Sequence, residues 1–386
     1  MPPLRVVVVG AGIGGLTAAV ALSRDGHDVT VVERAKELTA AGAGIGLWPN
    51  ALRAFEEIGV ADAMRGVGAP FTSTMIQTRD GRRLSAYDPA RVLRHLGGQP
   101  IIAHRADVQT VLLSAAARVP IHTGNGAVEV RRSGDATHTA VTEGGLELEA
   151  DLVVGADGVN SVVRALVDTS PFAHSPLLTW RVLIADGPTP SDAWLSIGRG
   201  HQFLATPLPG GRSYLGGLIG RARQDSPERT FDTLVHAYGD WHDPIPAFLE
   251  CMRDADVRWD PVNHRRPPRR TVSDHVVLIG DAAHPMTPDL GQGGCQAVED
   301  AVVLAAALRS GGPDALQRYE RARRPRVRRI VSTSHRLGQV LSFRAGPAIL
   351  ARNLVMPLVP QGVSLSQIAG IASVRAFERN LAAVAG

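Results

Sequence analysis

The strongest constraint on the fold is a glycine-rich turn near the start of the chain. Leu4–Val9 is a short apolar run that predicts a buried strand, and GAGIGG at Gly10–Gly15 follows it directly. Leu16–Arg24 then predicts a helix, and Val29–Val32 predicts a second strand that ends at Glu33. Glycines at this spacing allow a tight turn and a close approach of the backbone to a pyrophosphate, and a carboxylate about twenty residues later can bind ribose hydroxyls. The pattern predicts an adenine dinucleotide but does not separate NAD from FAD.

A second constraint is the stretch from His275 to Ser310. Val276–Ile279 predicts a buried parallel strand, so Asp281 would lie at the carboxyl end of a strand, where open α/β sheets bind ligands. Glycines then precede a long predicted helix, and they leave the N–H groups of its first turn free for a negatively charged ligand. This arrangement suits a ligand with a polyol that binds Asp281 and a head group that becomes negative near the helix start. Reduced flavin is such a molecule. Alone, this stretch is equally consistent with a strand-turn-helix that only packs.

Composition narrows the classes of protein and site. A chain of 386 residues with 44% hydrophobic residues can bury a large core and predicts two domains. Its basic residues are almost all arginines, and the run Arg318–Arg329 is interpreted as a solvated helix face, because aromatic residues for nucleic-acid stacking are sparse. The two cysteines, Cys251 and Cys295, have neither the number for a disulfide framework nor the spacing for zinc, so we expect no metal site.

No targeting or membrane-spanning segment is expected. Val6–Val9 is too short for a signal sequence, and no uninterrupted apolar run approaches the ~18 residues that span a bilayer. The apolar stretch Ala345–Val359 contains Arg352, Asn353 and Pro357, which favours a docking helix over a membrane anchor. We therefore expect a cytoplasmic protein, either a monomer or a homodimer.

The domain organisation follows from a change in pattern. Between residues 170 and 271 helical periodicity decreases and short strands with Pro/Gly turns predominate, with one helix near Pro227–Tyr238. After Gly312 the chain is predicted to be helical to residue 386. The expected division is a discontinuous dinucleotide-binding domain at 1–72, 99–169 and 272–335, a sheet domain at 73–98 and 170–271, and a helical segment at 336–386.

Three motifs in this order resemble the single-component FAD-dependent aromatic hydroxylases, which include the p-hydroxybenzoate and salicylate hydroxylases. They are GAGIGG with Glu33, DLVVGADGVNSVVR at Asp151–Arg164, and GDAAHPMTPDLGQGG at Gly280–Gly294. The resemblance covers roughly residues 4–335 and is closest to the salicylate and urate hydroxylase branch. It implies an α/β fold: a Rossmann-like FAD-binding domain of the glutathione-reductase type, an inserted, mainly antiparallel substrate sheet, and a helical C-terminus.

The resemblance also implies two groups of FAD-binding residues. The pyrophosphate and adenosine end would be held by Gly10, Gly12, Gly14, Gly15, Glu33, Arg34, the backbone near Val128, and Asp157, which would also serve the passing nicotinamide cofactor. The flavin, its phosphates and its ribityl chain would be held by Gly46, Arg105, Asp281, Pro288 and the N–H groups of Gly291, Gln292, Gly293, Gly294 and Cys295. Arg105 also begins a predicted helix, where a cation is unfavourable unless an anion is close; a surface arginine is the alternative.

The reaction implied by the resemblance is a monooxygenation. NADH or NADPH, which has no nucleotide domain of its own in this family, would reduce the flavin. Oxygen would then form a flavin C4a-hydroperoxide that transfers one oxygen atom to an aromatic or other electron-rich small molecule. Hydroxylation and epoxidation both remain open.

Residues for substrate binding are harder to predict. Asp289, beside Pro288, and Tyr214, on a predicted strand of the sheet domain, are candidates to orient or deprotonate a substrate hydroxyl or ring N–H. The alternatives are a helix cap for Asp289 and a core residue for Tyr214. His201 and Gln202 are second candidates. The urate hydroxylases carry a substrate-binding arginine where this chain has Gln202, so urate itself is in doubt.

Two rival functions remain after the motifs are compared. A flavin oxidase or reductase of the same fold, or a non-catalytic FAD-fold binding protein, would keep most of these residues. Flavin-dependent halogenases need a catalytic lysine. A halogenase is rejected here, because Lys36 follows the second strand on the adenosine side and the W-x-W-x-I-P motif is missing. Hydrolase and metalloenzyme motifs such as G-x-S-x-G and H-E-x-x-H are also missing.

Overall fold

The computed structural model describes residues 2–38, 44–72, 75–170, 173–220, 229–265 and 267–385. Its strands, in chain order, are β1 Arg5–Val9, β2 Asp28–Val32, β3 Gly44–Leu47, β4 Gly68–Pro70, β5 Met75–Thr78, β6 Arg83–Ser85, β7 Ile101–His104, β8 Ile121–His122, β9 Ala127–Arg132, β10 His138–Thr142, β11 Glu147–Ala150, β12 Leu152–Gly155, β13 Ala173–Ile184, β14 Trp194–Ile197, β15 His201–Pro207, β16 Ser213–Gly220, β17 Arg258–His264, β18 Val272–Ser273 and β19 Val276–Leu278.

The helices, also in chain order, are α1 Ile13–Arg24, α2 Pro49–Glu57, α3 Ala61–Gly66, α4 Pro89–Leu96, α5 Arg105–Ala115, α6 Phe231–Tyr238, α7 Ile245–Met252, α8 Gly293–Arg309, α9 Ala315–Leu341, α10 Gly346–Val355, α11 Gln361–Ala372 and α12 Val374–Ala382. Single 3-10 turns lie at Val163–Leu166, Pro209–Gly211, Gly280–Ala282, Pro288–Leu290 and Met356–Leu358.

A six-stranded sheet with the order β18-β19-β12-β1-β2-β8 positions the predicted motifs. All its pairings are parallel except the one between β18 and β19. Because parallel strands end at the same edge, Gly10, Glu33, Asp157 and Asp281 follow four adjacent strands at one carboxyl edge.

Both faces of this sheet are covered, which is why its strands are apolar without alternation. Val6 and Val8 of β1 pack in the core beneath α1 and α8. Val7 and Val9 face the other side and pack in the cluster that includes β9–β11. That second layer is an antiparallel sheet with the order β11-β10-β9.

A seven-stranded sheet with the order β17-β13-β16-β15-β14-β5-β6 forms the second large layer. Its pairings are antiparallel except for the parallel pair of β14 and β5. Helices α6 and α7 cover one face with an aromatic core around Trp180, Phe203 and Phe248. The remaining small sheet, with the order β3-β7-β4, is antiparallel.

The last part of the chain is helical. Helix α9 has 27 residues, contains Pro325, and packs against α8. Helices α10, α11 and α12 follow, and α11 packs against α4 while α12 packs against α2. Within the ranges described above, no single helix is long and apolar enough to cross a membrane.

The predicted α/β fold with a helical C-terminus is confirmed in these coarse features. One expectation about the elements was wrong: the region from 170 to 271 contains two helices, α6 and α7, and not one. The division into domains stays a prediction, and its first internal boundary, at residue 73, lies outside the described residues.

Candidate active site

One long cavity of about 1430 Å³ connects the carboxyl edge of the six-stranded sheet with the seven-stranded sheet and the C-terminal helices. Its cofactor-side wall contains Gly10, Gly12, Gly14, Glu33, Arg34, Gly46, Arg105, Asp157, Asp281 and Gly291–Gly294. Its far wall contains Gln202, Leu204, Tyr214, Asp289, Leu337, Met356 and Ile368. The structure thus brings most of the predicted site residues to a single cavity.

The glycine turn between β1 and α1 is shaped by close backbone contacts. Gly10 has φ of +106°, and a Cβ on it would lie 2.5 Å from the carbonyl oxygen of Ala156. A Cβ on Gly15 would overlap the carbonyl oxygen of Gly10. A Cβ on Gly12, in contrast, would meet nothing within 4 Å. The turn is therefore closed toward the sheet and open toward the cavity, where the first turn of α1 has no side-chain cap.

Glu33 and Asp157 both accept hydrogen bonds from backbone N–H groups at the carboxyl ends of their strands. The carboxylate of Glu33 accepts hydrogen bonds from the N–H of Ala11 at 2.7 Å and of Ala35 at 2.8 Å. Asp157 accepts from Ser161 Oγ at 2.5 Å and from the N–H of Val162 at 2.7 Å. Burial raises the pKa of Asp157, and these hydrogen bonds act against it. Both carboxylates keep further lone pairs for a ligand.

Asp281 and Arg105 form the electrostatic centre of the cofactor-side wall. The Asp281 side chain is exposed where it lines the cavity, and partial desolvation by the surrounding protein raises its pKa while His284 and Arg105 oppose the rise. Burial lowers the pKa of Arg105, and Asp281 opposes that change. No hydrogen-bond acceptor for Arg105 is found within the described ranges. A cation and a carboxylate without direct partners are suited to a ligand that carries both phosphates and hydroxyls.

The first turn of α8 has no side chain that covers its backbone N–H groups. Gly291 has φ of +59°, in the left-handed region, and Gln292 precedes the helix without a side-chain cap. A Cβ on Gly294 would lie 2.7 Å from Ile45 Cδ1, so only glycine fits there without displacing that side chain. The first turn of α8 carries no acidic residue. Its free N–H groups and the helix dipole therefore present positive potential to the cavity.

A buried charge network lies beneath this helix start. Arg323 pairs with Asp300, Nε to Oδ1 at 2.7 Å, and also with Glu299; Arg326 pairs with Glu299, Nη2 to Oε1 at 2.7 Å. Burial alone would raise the pKa of both carboxyls, but the arginines, together with His284 for Asp300, hold each at about 2. The four side chains are almost fully buried, so the network joins α8 rigidly to α9.

The same network fixes both ends of the loop that contains the cavity residues. Asp300 accepts from the N–H of Gly280 at 2.9 Å and contacts His284 Nε2 at 2.5 Å. Asn50 Nδ2 donates to Glu299 at 2.6 Å and to Gln292 Oε1 at 3.0 Å. The loop from Gly280 to Gln292 is therefore anchored at its first and last residues.

Asp289 does not cap a helix, contrary to one of the two expectations for it. Its carboxylate packs against Gly338 of α9, and Gln202 Nε2 lies 3.4 Å from Oδ1. Gln202 also donates to Ser342 Oγ at 3.1 Å. Burial raises the pKa of Asp289, and its Oδ2 has no hydrogen-bond partner in the described part of the chain. The group joins the 288–290 turn to β15 and α9.

Tyr214 lies at a different part of the cavity. Its ring packs against Gly44, and burial raises its pKa while Arg181 and Arg105 oppose the rise. Tyr214 pairs with Thr206, four residues along β15 from Gln202, which corresponds to about 13 Å along the strand. The two candidates, Asp289 and Tyr214, therefore do not face the same atom of one small ligand.

Some predicted residues lie off the cavity wall. Gly15 faces the glycine turn, and Val128 points outward, so Gly126 and Ala127 form the wall near it. The Cys295 thiol points to the carbonyl oxygen of Gly46 at 3.4 Å, and burial raises its pKa to about 12. His201 alternates with Gln202 along β15 and packs on Tyr238 instead.

Sequence reasoning missed two prominent wall residues. Arg181 lies on β13 with Thr179, two residues away, while Trp180 between them is buried on the other face. That alternation was the available signal. Trp48 reaches the wall through packing on Phe71 and Gly291, which no local pattern predicts. No group of His, Cys, Asp and Glu suited to a metal is found among the described residues.

Comparisons with known proteins agree with the geometry. A sequence-family profile described as "FAD binding domain" matches residues 3–334. The aurachin C monooxygenase/isomerase of Stigmatella aurantiaca is 34% identical over 368 residues, which cover 92% of this chain and 94% of that protein. The FAD-dependent urate hydroxylase of Klebsiella pneumoniae subsp. pneumoniae is 31% identical over 339 residues, covering 85% of this chain and 88% of that one.

A solved structure is similar over nearly the whole chain. Klebsiella pneumoniae HpxO complexed with FAD and uric acid has a TM-score of 0.87 and 27% identity, and the match covers 96% of each chain.

Proposed function

Because this chain belongs to the FAD binding domain family and is an FAD-dependent monooxygenase, we propose that it oxygenates a small aromatic or heteroaromatic compound with NAD(P)H and O₂. The continuous cavity carries the proposal. One end has the dinucleotide turn, and the other is lined mainly by apolar side chains with few polar groups. Its volume of about 1430 Å³ exceeds the ~300–1000 Å³ of an ordinary ligand pocket, which supports space for both FAD and a substrate.

The residues present fit FAD. We propose that the glycine turn and the first turn of α1 hold the pyrophosphate, with Glu33 and Arg34 at the adenosine end. The unpartnered Arg105 would meet phosphate, and Asp281 would accept hydroxyls of the ribityl chain. The remaining predicted contacts stay proposals for the same cofactor: Gly46, Val128, Asp157, Pro288 and the N–H groups of Gly291 to Cys295.

When bound, FAD would supply the redox chemistry: two electrons from NAD(P)H reduce O₂, one oxygen atom enters the substrate, and the other leaves as water. The chain's own contribution is electrostatic and steric. The uncapped first turn of α8 would stabilise negative charge on the flavin ring of bound FAD by about 0.3–1 kcal/mol per favourable contact. The apolar walls would exclude water from the reacting atoms.

For substrate orientation we propose Asp289 as the primary residue. Its raised pKa and its unpartnered Oδ2 support a group that can accept a proton from a substrate hydroxyl or ring N–H. Gln202 would act as a positioning residue, because its amide lies beside the Asp289 carboxylate. Tyr214 would contact substrate only if the substrate extends toward Arg105 and Arg181.

We also propose that the seven-stranded sheet is an inserted substrate domain at 73–98 and 170–271. Support comes from its strands, which fall within 75–85 and 173–264, and from its cavity-facing residues.

The test is a panel of phenolic and heteroaromatic compounds incubated with the FAD-loaded protein and either NADH or NADPH. We expect at least one compound to stimulate NAD(P)H consumption and to gain the mass of one oxygen atom. Stoichiometric H₂O₂ without a change in compound mass would indicate an oxidase instead. Absence of any NAD(P)H consumption would indicate a non-catalytic binding protein.

A further inference from the structure

The segment from Gly346 to Val363 presents an uncharged outer surface, here called the 346–363 surface. Its large apolar side chains are strongly exposed: Leu350, Leu354, Val355, Leu358, Val359 and Val363. Leu358 is 77% exposed and Leu350 is 61% exposed. The one charged residue in the segment, Arg352, is buried and donates from Nη1 to the carbonyl oxygen of Leu341 at 2.9 Å. The outward face is therefore entirely apolar or neutral.

The helical geometry gathers these side chains on one side. Leu350, Leu354 and Leu358 are spaced by four residues, so they lie along one face of α10 and the 3-10 turn after it. Residues Gly346–Leu358 and Gln361–Ala372 are together apolar enough for a membrane segment, but they are bent by 93°. A bent, one-sided apolar pair of this kind suits the surface of a lipid layer and not a straight passage through it.

The large cavity reaches the protein surface beside this segment. Met356 and Val359 line the cavity, and Val359 also belongs to the 346–363 surface. Exposed arginines of α9, Arg329 and Arg336, line it as well. The opening therefore has an apolar side and a cationic side.

The last part of the chain has more basic than acidic residues, and this excess lies near the cationic side of the opening. The sequence has no Asp or Glu between Glu320 and Glu378 and has ten arginines in that interval, of which Arg321, Arg323 and Arg326 pair with acidic side chains of other segments. Arg329 and Arg336 have no acidic partner within the described residues. The region around the opening is consequently positive, and its potential attracts anionic surfaces.

These features select a lipid layer over a second copy of the chain. A twofold contact would place the same patch of both copies together, and with it two like-charged regions. A layer with anionic head groups satisfies both features, because its acyl region accepts the leucines and its head groups accept the arginines.

We propose that the 346–363 surface lies on an anionic lipid layer, and that the cavity takes a lipophilic aromatic or heteroaromatic substrate from that layer. The aromatic class of the substrate rests on the proposed function; the docking surface does not.

Vesicle sedimentation tests the docking. The FAD-loaded protein is mixed with phosphatidylcholine vesicles, with or without phosphatidylglycerol. We expect co-sedimentation with the phosphatidylglycerol vesicles, reduced by added salt, and at least a tenfold weaker association for the double variant Leu354→Glu and Leu358→Glu. Neither residue lines the cavity. Val235→Glu is the matched control, because Val235 is also exposed, at 42%, but lies on α6.

The docking proposal would be overturned if the wild-type protein stayed in the supernatant or if the double variant bound vesicles like the wild type. It would also be overturned if, without lipid, the wild type were a dimer and the double variant a monomer. Circular dichroism and FAD content verify folding. If the glutamates prevent folding, Leu350→Ser with Leu354→Ser replaces them.

Turnover tests the substrate class separately. A phenol with a long alkyl chain, dissolved in the vesicles, should be oxidised at least tenfold more slowly by the double variant, with unchanged turnover of a water-soluble phenol. Equal loss with both phenols would overturn the delivery proposal. Vesicle binding without oxygenation of any phenol would contradict the proposed function and leave the docking surface intact.

Discussion

At the scale of single residues, the cavity is lined by several polar groups that lack hydrogen-bond partners among the residues that the structure describes. Arg105 and Asp281 influence each other's pKa without forming an ion pair, and Asp289 keeps one unpartnered oxygen beside Gly338. Unpaired polar groups in poorly solvated places are costly, so a fold retains them where a ligand completes their interactions. This reasoning predicts distinct effects for the two carboxylates.

Asp281→Ala should lose FAD. A bound cofactor would lose its hydroxyl acceptor at the strand end, and Arg105 would lose a carboxylate whose charge stabilises its protonated form. We expect at least tenfold weaker FAD binding, about 1.4 kcal/mol, measured by flavin absorbance of the purified protein and by titration with FAD. Asp62→Ala is the control, because the Asp62 side chain is fully exposed. Full retention of the yellow colour in the Asp281 variant would contradict the ribityl assignment.

Asp289→Asn should keep FAD and slow turnover by about 10²-fold, the usual contribution of a positioned base. Because burial raises its pKa, the carboxylate is available only above that raised value. Wild-type kcat/KM should therefore rise with pH through the pKa of Asp289, and this acid limb should be missing in the variant.

Tyr214→Phe is the matched comparison for Asp289→Asn. It should keep both FAD and the acid limb, with weaker stimulation of NAD(P)H oxidation by substrate. An acid limb that persists in Asp289→Asn would assign the titrating group elsewhere.

At the scale of elements, the start of α8 shows how backbone geometry produces positive potential. Gly291 adopts a left-handed conformation, and Gly293 and Gly294 open the helix without side chains over its N–H groups. Trp48 and Ile45 pack directly on this turn. Side chains added here would change both the packing and the access of a ligand to the helix dipole.

Gly291→Ala should destabilise the protein by about 1–2 kcal/mol, the cost of a left-handed non-glycine residue. Its Cβ would also lie 3.3 Å from Trp48 Nε1, so FAD affinity should fall as well. Urea unfolding of the protein without added FAD, together with FAD titration, measures both effects. Gly362→Ala is the control, because Gly362 is helical and its Cβ would meet nothing within 4 Å. A neutral result for Gly291→Ala would show that the turn can relax.

Elements differ in how well their sequence predicts them. The β1-turn-α1 unit and the strand before Asp281 follow from glycine spacing and β-branched runs, and the structure has both. Helix α7 is short and begins beside prolines in the sequence DPIPAFLECM, so local periodicity did not predict it. It is stabilised by tertiary packing of Phe248 and Leu249 against the seven-stranded sheet.

At the scale of the whole molecule, the Glu299–Asp300–Arg323–Arg326 network joins α8 to α9, with Asn50 and Gly280 attached to it. Both carboxyls have a pKa of about 2, below the ordinary values of about 4 in an unfolded chain. Their stabilisation is therefore complete above about pH 4 and is lost as the pH falls through about 2. We expect the protein to unfold as the pH falls from about 4 to about 2, and circular dichroism measures this transition.

Arg323→Met should destabilise the protein at neutral pH by about 3–5 kcal/mol, because it leaves two buried carboxylates without this cation. Their pKa values should rise, so acid unfolding should begin at a higher pH. Arg321→Met, on the exposed side of the same helix, should change the free energy of unfolding by less than about 1 kcal/mol. Equal stability of the two variants would mean that the network does not join the helices.

The whole molecule also sets the limit of sequence reasoning. The FAD-side residues were predictable, because each follows a strand or begins a helix with a recognisable chemical pattern. The substrate side depends on contacts between distant segments, such as Asp289 with Gly338 and Gln202 with Ser342. No spacing in the chain encodes these contacts, so the separation of Tyr214 from Asp289 was not foreseen.

The cavity wall begins at Val9 and includes Ala372, so segments far apart in the order of synthesis enclose it together. A ribosome that has not yet released the region around Ala372 holds a nascent chain whose glycine turn is finished but whose cavity still lacks one side. We therefore expect stable binding of FAD only after the region around Ala372 has folded onto the rest of the cavity wall.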